Sequence, residues 1–161
     1  MWWRLSRSEF NAQKGEGNRK ALKRIVDSGE VPGILAYAGG QPVGWCSVAQ
    51  REAFPVLDRS RVLKRVDDEP VWSVVCFYVA RQYRRRGVTV ALLKAAIGYV
   101  RDQGGMVIEG YPVEPKEGKM PDVYAYTGLA SAFRRAGFVE VLHRSEKRPI
   151  TRYIIESSQD L

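Results

Sequence analysis

Arg84-Arg85-Arg86-Gly87-Val88-Thr89 gathers three guanidinium groups and a glycine into six positions. The stretch follows Val74-Val75-Cys76-Phe77-Tyr78-Val79, which reads as a strand, and precedes Val90 to Val100, which reads as a helix. A strand that turns through glycine into a helix makes an anion site. The first N–H groups of the helix have no internal acceptor, and the macrodipole places partial positive charge there. Gly87 lets a phosphate approach the backbone closely, and the arginines add full charges beside it. The chemistry expected of this turn is the cradling of a pyrophosphate.

The other reactive side chains are more scattered. Cys76 lies on the strand before the turn, but the only histidine, His143, is remote in sequence, which disfavours a Cys–His nucleophile. Cys46 and Cys76 both sit in apolar runs, as buried reduced thiols do, and neither belongs to a disulfide framework or a zinc motif. No metal is expected.

Composition narrows the class. A chain of 161 residues, 45% hydrophobic and 27% charged, suits one soluble α/β domain spanning 1–161 with its own core. The longest apolar run, Val74 to Ala80, is too short for a bilayer. Met1-Trp2-Trp3-Arg4 lacks the apolar core of a signal peptide, so the expected compartment is the cytoplasm. The net charge of +8 favours anionic partners, and much of it falls in Arg4, Arg7, Lys14, Arg19, Lys20, Lys23 and Arg24. A solvated helix face accounts for that run. Nucleic acid is disfavoured, because zinc spacing, an RNP-like aromatic motif and heptads are all missing. The Trp2-Trp3 pair is expected to dock on the domain or on a second copy in a homodimer.

The elements that position the turn follow from periodicity and punctuation. Asn18 can cap a helix over 19–27 with Leu22, Ile25 and Val26 on its apolar face, closed by Ser28-Gly29. Ile34 to Ala38, Gly39-Gly40 and Pro42 to Val48 read as a hairpin. Residues 51–69 read as a long polar connection with a helical turn. Val71 to Ala80 is apolar enough for a central strand buried on both faces. Leu92, Leu93, Ala96 and Val100 recur at helical spacing until Gln103-Gly104-Gly105, and Met106 to Tyr111 forms a second central strand, parallel to the first. After a polar loop over 112–126, a short helix over 129–136 stops at Gly137. Phe138 to Arg144 and Thr151 to Ile155 then make a closing hairpin. Trp45 and Trp72 read as core aromatics. The expected architecture is a mixed central β-sheet flanked by helices.

This order of elements, with the anion turn at the central strand-to-helix junction, resembles the GNAT superfamily of acetyl-CoA-dependent N-acetyltransferases over 32–155. Of the family's Arg/Gln-x-x-Gly-x-Gly/Ala signature, Arg84 and Gly87 match and Thr89 replaces the last small residue. Phe77-Tyr78-Val79, Tyr83-Arg84 and Ala136-Gly137-Phe138 also resemble family positions. The resemblance implies transfer of acetyl from acetyl-CoA to an amine, or a GNAT-like domain that binds an acyl-CoA with little catalysis. It implies that backbone N–H groups over Arg84, Arg85, Arg86, Gly87, Val88 and Thr89 hold the coenzyme's pyrophosphate. It further implies that main-chain groups of Phe77 and Val79 pair with the pantetheine arm in a slot where the central strands splay, with the N–H near Phe77 polarising the thioester carbonyl.

For such a reaction the amine must be neutral, and a lysine-type amine titrates near ~10.4, so a base is needed. Glu109 is the first candidate, as a carboxylate in the apolar strand Val107 to Tyr111 whose pKa desolvation would raise. The plainer alternative is a strand-end glutamate paired with an arginine. The family's usual acid, a tyrosine five residues before the Gly-Phe phenylalanine, falls at Phe133, which has no proton to give. Tyr111, Tyr124 and Tyr126 are the substitutes, each with a packing role as its alternative.

Overall fold

The computed structural model describes residues 1–116 and 125–156. Six strands form one mixed sheet: β1 (Gly33–Ala38), β2 (Gln41–Gln50), β3 (Trp72–Val79), β4 (Val107–Gly110), β5 (Val139–Leu142) and β6 (Ile150–Ile154). Their order across the sheet is β1-β2-β3-β4-β6-β5. Only β3 and β4 run parallel, joined by the crossover helix α4 (Val88–Asp102) as the sequence implies. The helices before it are α1 (Arg7–Ala12), α2 (Glu16–Asp27) and α3 (Pro55–Arg59), and α5 (Ala130–Arg135) follows. Among the described residues no helix is long and apolar enough to cross a membrane.

Local chemistry explains the elements. Ser6 and Glu9 form a reciprocal capping box that starts α1, a helix absent from the expected set. Helix α2 begins earlier than expected, at a Gly15 cap with φ +78°, and Asn18 instead donates its side-chain amide to the Phe10 carbonyl. Val26 stands exposed, while Leu22 and Ile25 are half-buried. Gly39 and Gly40 take φ of +55° and +76°, which lets β1 return directly as β2.

The sheet separates two apolar clusters. Leu92, Leu93, Ala96 and Val100 of α4 pack with Cys46, Val48, Val74, Ile108 and Phe133. The opposite cluster holds Trp3, Phe54, Leu57, Leu63, Val75 and Ile150, so the N-terminal tryptophan docks on its own domain. Strand β3 carries the irregularity that shapes the site. Ser47 faces Cys76 and Val48 faces Val74, so Val75 is an extra residue in the ladder. As a result Val74 and Phe77 both join the α4 cluster, while Val75 and the half-buried Cys76 pack on the other side. Tyr78 is 60% exposed, so β3 is not buried on both faces along its whole length.

Candidate active site

Strands β3 and β4 pair only from Trp72↔Ile108 to Val74↔Gly110. Beyond Val74 they part, and the chain itself enters the gap. The main-chain carbonyl of Tyr126 accepts the Phe77 N–H at 2.7 Å. On the other side of this strap, Val113 donates to the Gly128 carbonyl at 2.9 Å and accepts from Ala130 at 3.0 Å. Gly128, at φ +91°, lies where an added Cβ would strike the rings of Phe133 and Phe77, so only glycine lets the strap sit this deep. Phe133 backs the gap, edge-to-face with Phe77 at 5.9 Å and with Phe138 at 5.0 Å. An added Cβ on Gly110 would also collide with the Phe133 ring. The phenylalanine at the expected acid position is therefore a packing residue between the two strands.

At the mouth of the gap β3 runs through a 3-10 turn, Arg81–Tyr83, into the arginine turn and α4. Gly87 caps α4 in the left-handed region at φ +81°, and Arg85 is left-handed at φ +60°. Alternation of left-handed with right-handed residues is the backbone pattern that can turn successive N–H groups toward one anion. A non-glycine residue at positive φ is an uncommon, costly conformation that clusters at functional sites. Arg84, Arg85 and Arg86 are exposed around the turn. Arg84 also donates Nε to the Val79 carbonyl at 3.1 Å, and Arg86 stacks over Tyr83 at 5.7 Å. Thus the Phe77 N–H and the Val79 carbonyl, both expected to face a pantetheine arm, each carry a partner from the chain.

Glu109 is 1% exposed, and the surroundings differ from the apolar strand the sequence suggests. Its Oε1 accepts from Arg51 Nη1 at 3.1 Å and from the Tyr111 hydroxyl at 2.7 Å, while Oε2 accepts from Arg152 Nε at 2.8 Å. The alternative weighed for this residue, an arginine-paired glutamate, matches the geometry. Tyr111 is fully buried, with its hydroxyl also 2.7 Å from Ser73 Oγ and 2.7 Å from Arg51 Nη1. Burial, and then the neighbouring Glu109 charge, push the Tyr111 phenol well above its ordinary pKa. Arg152 holds Asp67 through two 2.8 Å bonds, and that bonding pulls the Asp67 carboxyl down to about 2. Arg51 and Asp67 anchor the polar connection that the sequence leaves indistinct.

Tyr126 is placed differently. Its backbone sits on Phe77, its ring lies 6.3 Å from Trp3, and its side chain is 40% exposed. Burial raises the phenol's pKa, while Arg148 is near enough to oppose the rise. Next to it a cavity of about 170 Å³ opens on the sheet face opposite α4, lined by Trp3, Arg4, Trp45, Ser47, Cys76 and Tyr126 among others. Trp45 thus borders a cavity, and Trp72 packs edge-to-face on Tyr99. Cys46 is fully buried with its thiol pushed up to about 12 by desolvation, whereas Cys76 reaches the cavity. His143 lies beside Glu140 at 3.6 Å. Tyr124 falls outside the described residues.

A single α/β domain with a six-stranded mixed sheet, parted at the centre beside the start of a crossover helix, is the GNAT fold. The chain belongs to the acetyltransferase (GNAT) family, whose model matches residues 1–114. No curated protein matches it. Solved structures that share the fold include the PaiA N-acetyltransferase of Thermoplasma acidophilum in complex with coenzyme A, at 13% identity over 94% of this chain and 80% of that one, TM-score 0.55. The ribosomal-protein-alanine N-acetyltransferase of Brucella melitensis aligns at 18% identity over 87% and 78%, TM-score 0.54. A GNAT-family acetyltransferase from Streptococcus agalactiae aligns at 15% over 92% and 79%, TM-score 0.55.

Proposed function

We propose that this chain transfers acetyl from acetyl-CoA to a primary amine. The observation that carries the reading is the left-handed Arg85–Gly87 turn opening α4 at the mouth of the parted β3 and β4. The pyrophosphate would lie on the N–H groups of residues 85–89, where the start of a 15-residue helix favours negative charge. The pantetheine arm would take the main-chain groups of Phe77 and Val79, displacing the Tyr126 carbonyl and the Arg84 side chain. Once released, the Phe77 N–H becomes a donor for the thioester oxygen as negative charge develops on it.

Acid–base roles follow from which groups are free. Glu109 is buried and already accepts three hydrogen bonds, from Arg51, Tyr111 and Arg152, so water takes the amine's proton in this scheme. A coenzyme thiol resembles free cysteine, with pKa about 8.5, and leaves with modest help. Tyr126 would give that help, since its raised pKa keeps the phenol protonated.

A second reading has its own observation. Phe133 cannot protonate a thiolate, and a carbonyl already caps the Phe77 N–H. Both favour a domain that binds an acyl-CoA and turns over slowly. Calorimetric titration with acetyl-CoA, followed by thiol release against an amine panel, separates the readings. Binding with turnover supports the transferase, binding without turnover supports the second, and no binding removes both.

A further inference from the structure

The fork between β3 and β4 is filled by the chain itself, and the two sides of the filling are held unequally. Toward β4 the grip is double. Val113 donates to the Gly128 carbonyl at 2.9 Å and accepts from Ala130 at 3.0 Å, so that Leu129 pairs with Val113 as a parallel bridge. Toward β3 the grip is one bond, from the Phe77 N–H to the Tyr126 carbonyl at 2.7 Å. Between the two grips lies Thr127, 1% exposed, whose hydroxyl has no hydrogen-bond partner among the described residues. Such a hydroxyl has lost its bonds to water without replacement, and native proteins keep few of them. That cost falls on the closed arrangement alone, since release from β3 returns the hydroxyl to solvent. Gly128 follows directly, with a backbone freer to turn than that of any residue bearing a Cβ.

We infer that residues 125–127 are an intramolecular competitor of the coenzyme's pantetheine arm: they pivot at Gly128, come off Phe77 and leave the strap attached to Val113, and the coenzyme binds only this open form. The inference rests on the function proposed above and adds to it a conformational step that sets coenzyme affinity. The Phe77 N–H is a single donor, so the strap and a thioester exclude each other there. Two opposed contributions keep the closed and open forms close in free energy. The Tyr126 ring packs 6.3 Å from Trp3 and favours closure, while the unpaired Thr127 hydroxyl favours release. Apparent affinity is then the intrinsic affinity multiplied by the open fraction, so a change that deepens the closed form weakens binding without touching the coenzyme's own site. The strap's main-chain bonds outside itself go to Phe77 and Val113 and none goes to the arginine turn, so the nucleotide half of the coenzyme escapes the competition.

The test is calorimetric titration with two probes, acetyl-CoA and phosphoadenosine diphosphate, the coenzyme's nucleotide half without its pantetheine arm. Thr127→Val keeps the side chain's shape and removes the unpaired hydroxyl, which deepens the closed form. Its acetyl-CoA Kd should rise about tenfold while its nucleotide Kd stays as in the wild type. Gly128→Ala sets a methyl 2.7 Å from the Phe133 ring and 3.1 Å from the Phe77 ring, which unseats the strap. Its acetyl-CoA Kd should fall about tenfold, again with the nucleotide Kd unchanged, and its Phe77 amide should exchange with deuterium faster than in the wild type. Thr127→Val carries the test if Gly128→Ala does not fold. A wild type that binds neither probe would remove the reading of function itself. Binding of both probes with an acetyl-CoA Kd unmoved by Thr127→Val, or with a shift shared equally by the nucleotide half, would overturn this inference alone.

Discussion

The two ends of the β3–β4 pair are built on opposite terms. Where the strands are hydrogen-bonded, Arg51, Glu109, Tyr111, Ser73, Arg152 and Asp67 satisfy one another, and only Arg51 Nε is left over. Where the strands part, the Phe77 N–H is capped by the Tyr126 carbonyl alone, and Arg85 is held left-handed. One end spends charged side chains on holding the sheet, and the other is closed by a single main-chain strap. A carboxylate's presence in the middle of the sheet therefore says little about catalysis. What matters is whether the carboxylate is open to substrate and free of structural ion pairs.

The largest effect should come from breaking the satisfied end. Glu109→Gln leaves two buried guanidinium groups short of charge, and breaking such a pair costs about 3–5 kcal/mol. Chemical denaturation should show that loss, while the pH profile of kcat in the protein that remains folded stays as in the wild type. A rate that instead falls about 10²-fold at neutral pH and recovers at high pH, where the amine deprotonates unaided, would return Glu109 to the role of base and erase the contrast.

The open end should answer in rate. Tyr126→Phe removes a phenol that makes no hydrogen bond among the described residues, so stability should move by less than about 0.5 kcal/mol. Loss of a general acid lowers turnover about 10²-fold, or about 2.7 kcal/mol of barrier. An unchanged kcat would leave water as the proton donor.

The cysteines on opposite faces of the sheet sharpen the comparison at a smaller scale. Cys46→Ser, in a fully buried site whose thiol meets the Leu92 carbonyl only at 4.0 Å, should cost about 1–3 kcal/mol because the shorter hydroxyl is buried with a poor partner. Cys76→Ser should cost less, since Cys76 reaches the cavity, and should change turnover no more than a few-fold. Equal losses at both sites would mean that the cavity is closed to water.

Acid titration gives the most graded signal. The Asp67 carboxyl is depressed from 3.8 to about 2 by its bonds to Arg152. A depressed carboxyl contributes stability that is present above its unfolded value and lost as pH falls through its folded value. The stability difference between wild type and Asp67→Asn should therefore be constant above pH 3.8 and shrink toward pH 2. A difference that persists at pH 2 would show that the pair is not what Asp67 contributes.

Much of the open end is legible in sequence because its devices are local. Gly39-Gly40, the arginine turn with Gly87 and the apolar face of α4 are read from neighbours a few positions apart. The Ser6–Glu9 capping box is equally local, and its spacing alone could have announced α1. The satisfied end is not local. Arg51 meets Glu109 across 58 positions, and Arg152 meets Asp67 across 85, so neither pairing leaves a spacing to detect. The strap is harder still to see, because the group that caps Phe77 is a main-chain carbonyl, which every residue has. Gly128 is its one local mark. Trp3 and Arg4, which line the cavity, read in sequence only as parts of an aromatic pair and a basic run.

Calorimetric titration of acetyl-CoA into the wild type and into Gly87→Asp tests the central claim most directly. Nothing lies within 4 Å of an added Cβ at Gly87, so the variant acts through its positive φ and its negative charge in the turn, with no clash against the core. The expected result is saturable binding by the wild type and none by Gly87→Asp, with matching circular dichroism spectra. Equal affinity in the two proteins would place the coenzyme elsewhere and contradict the account.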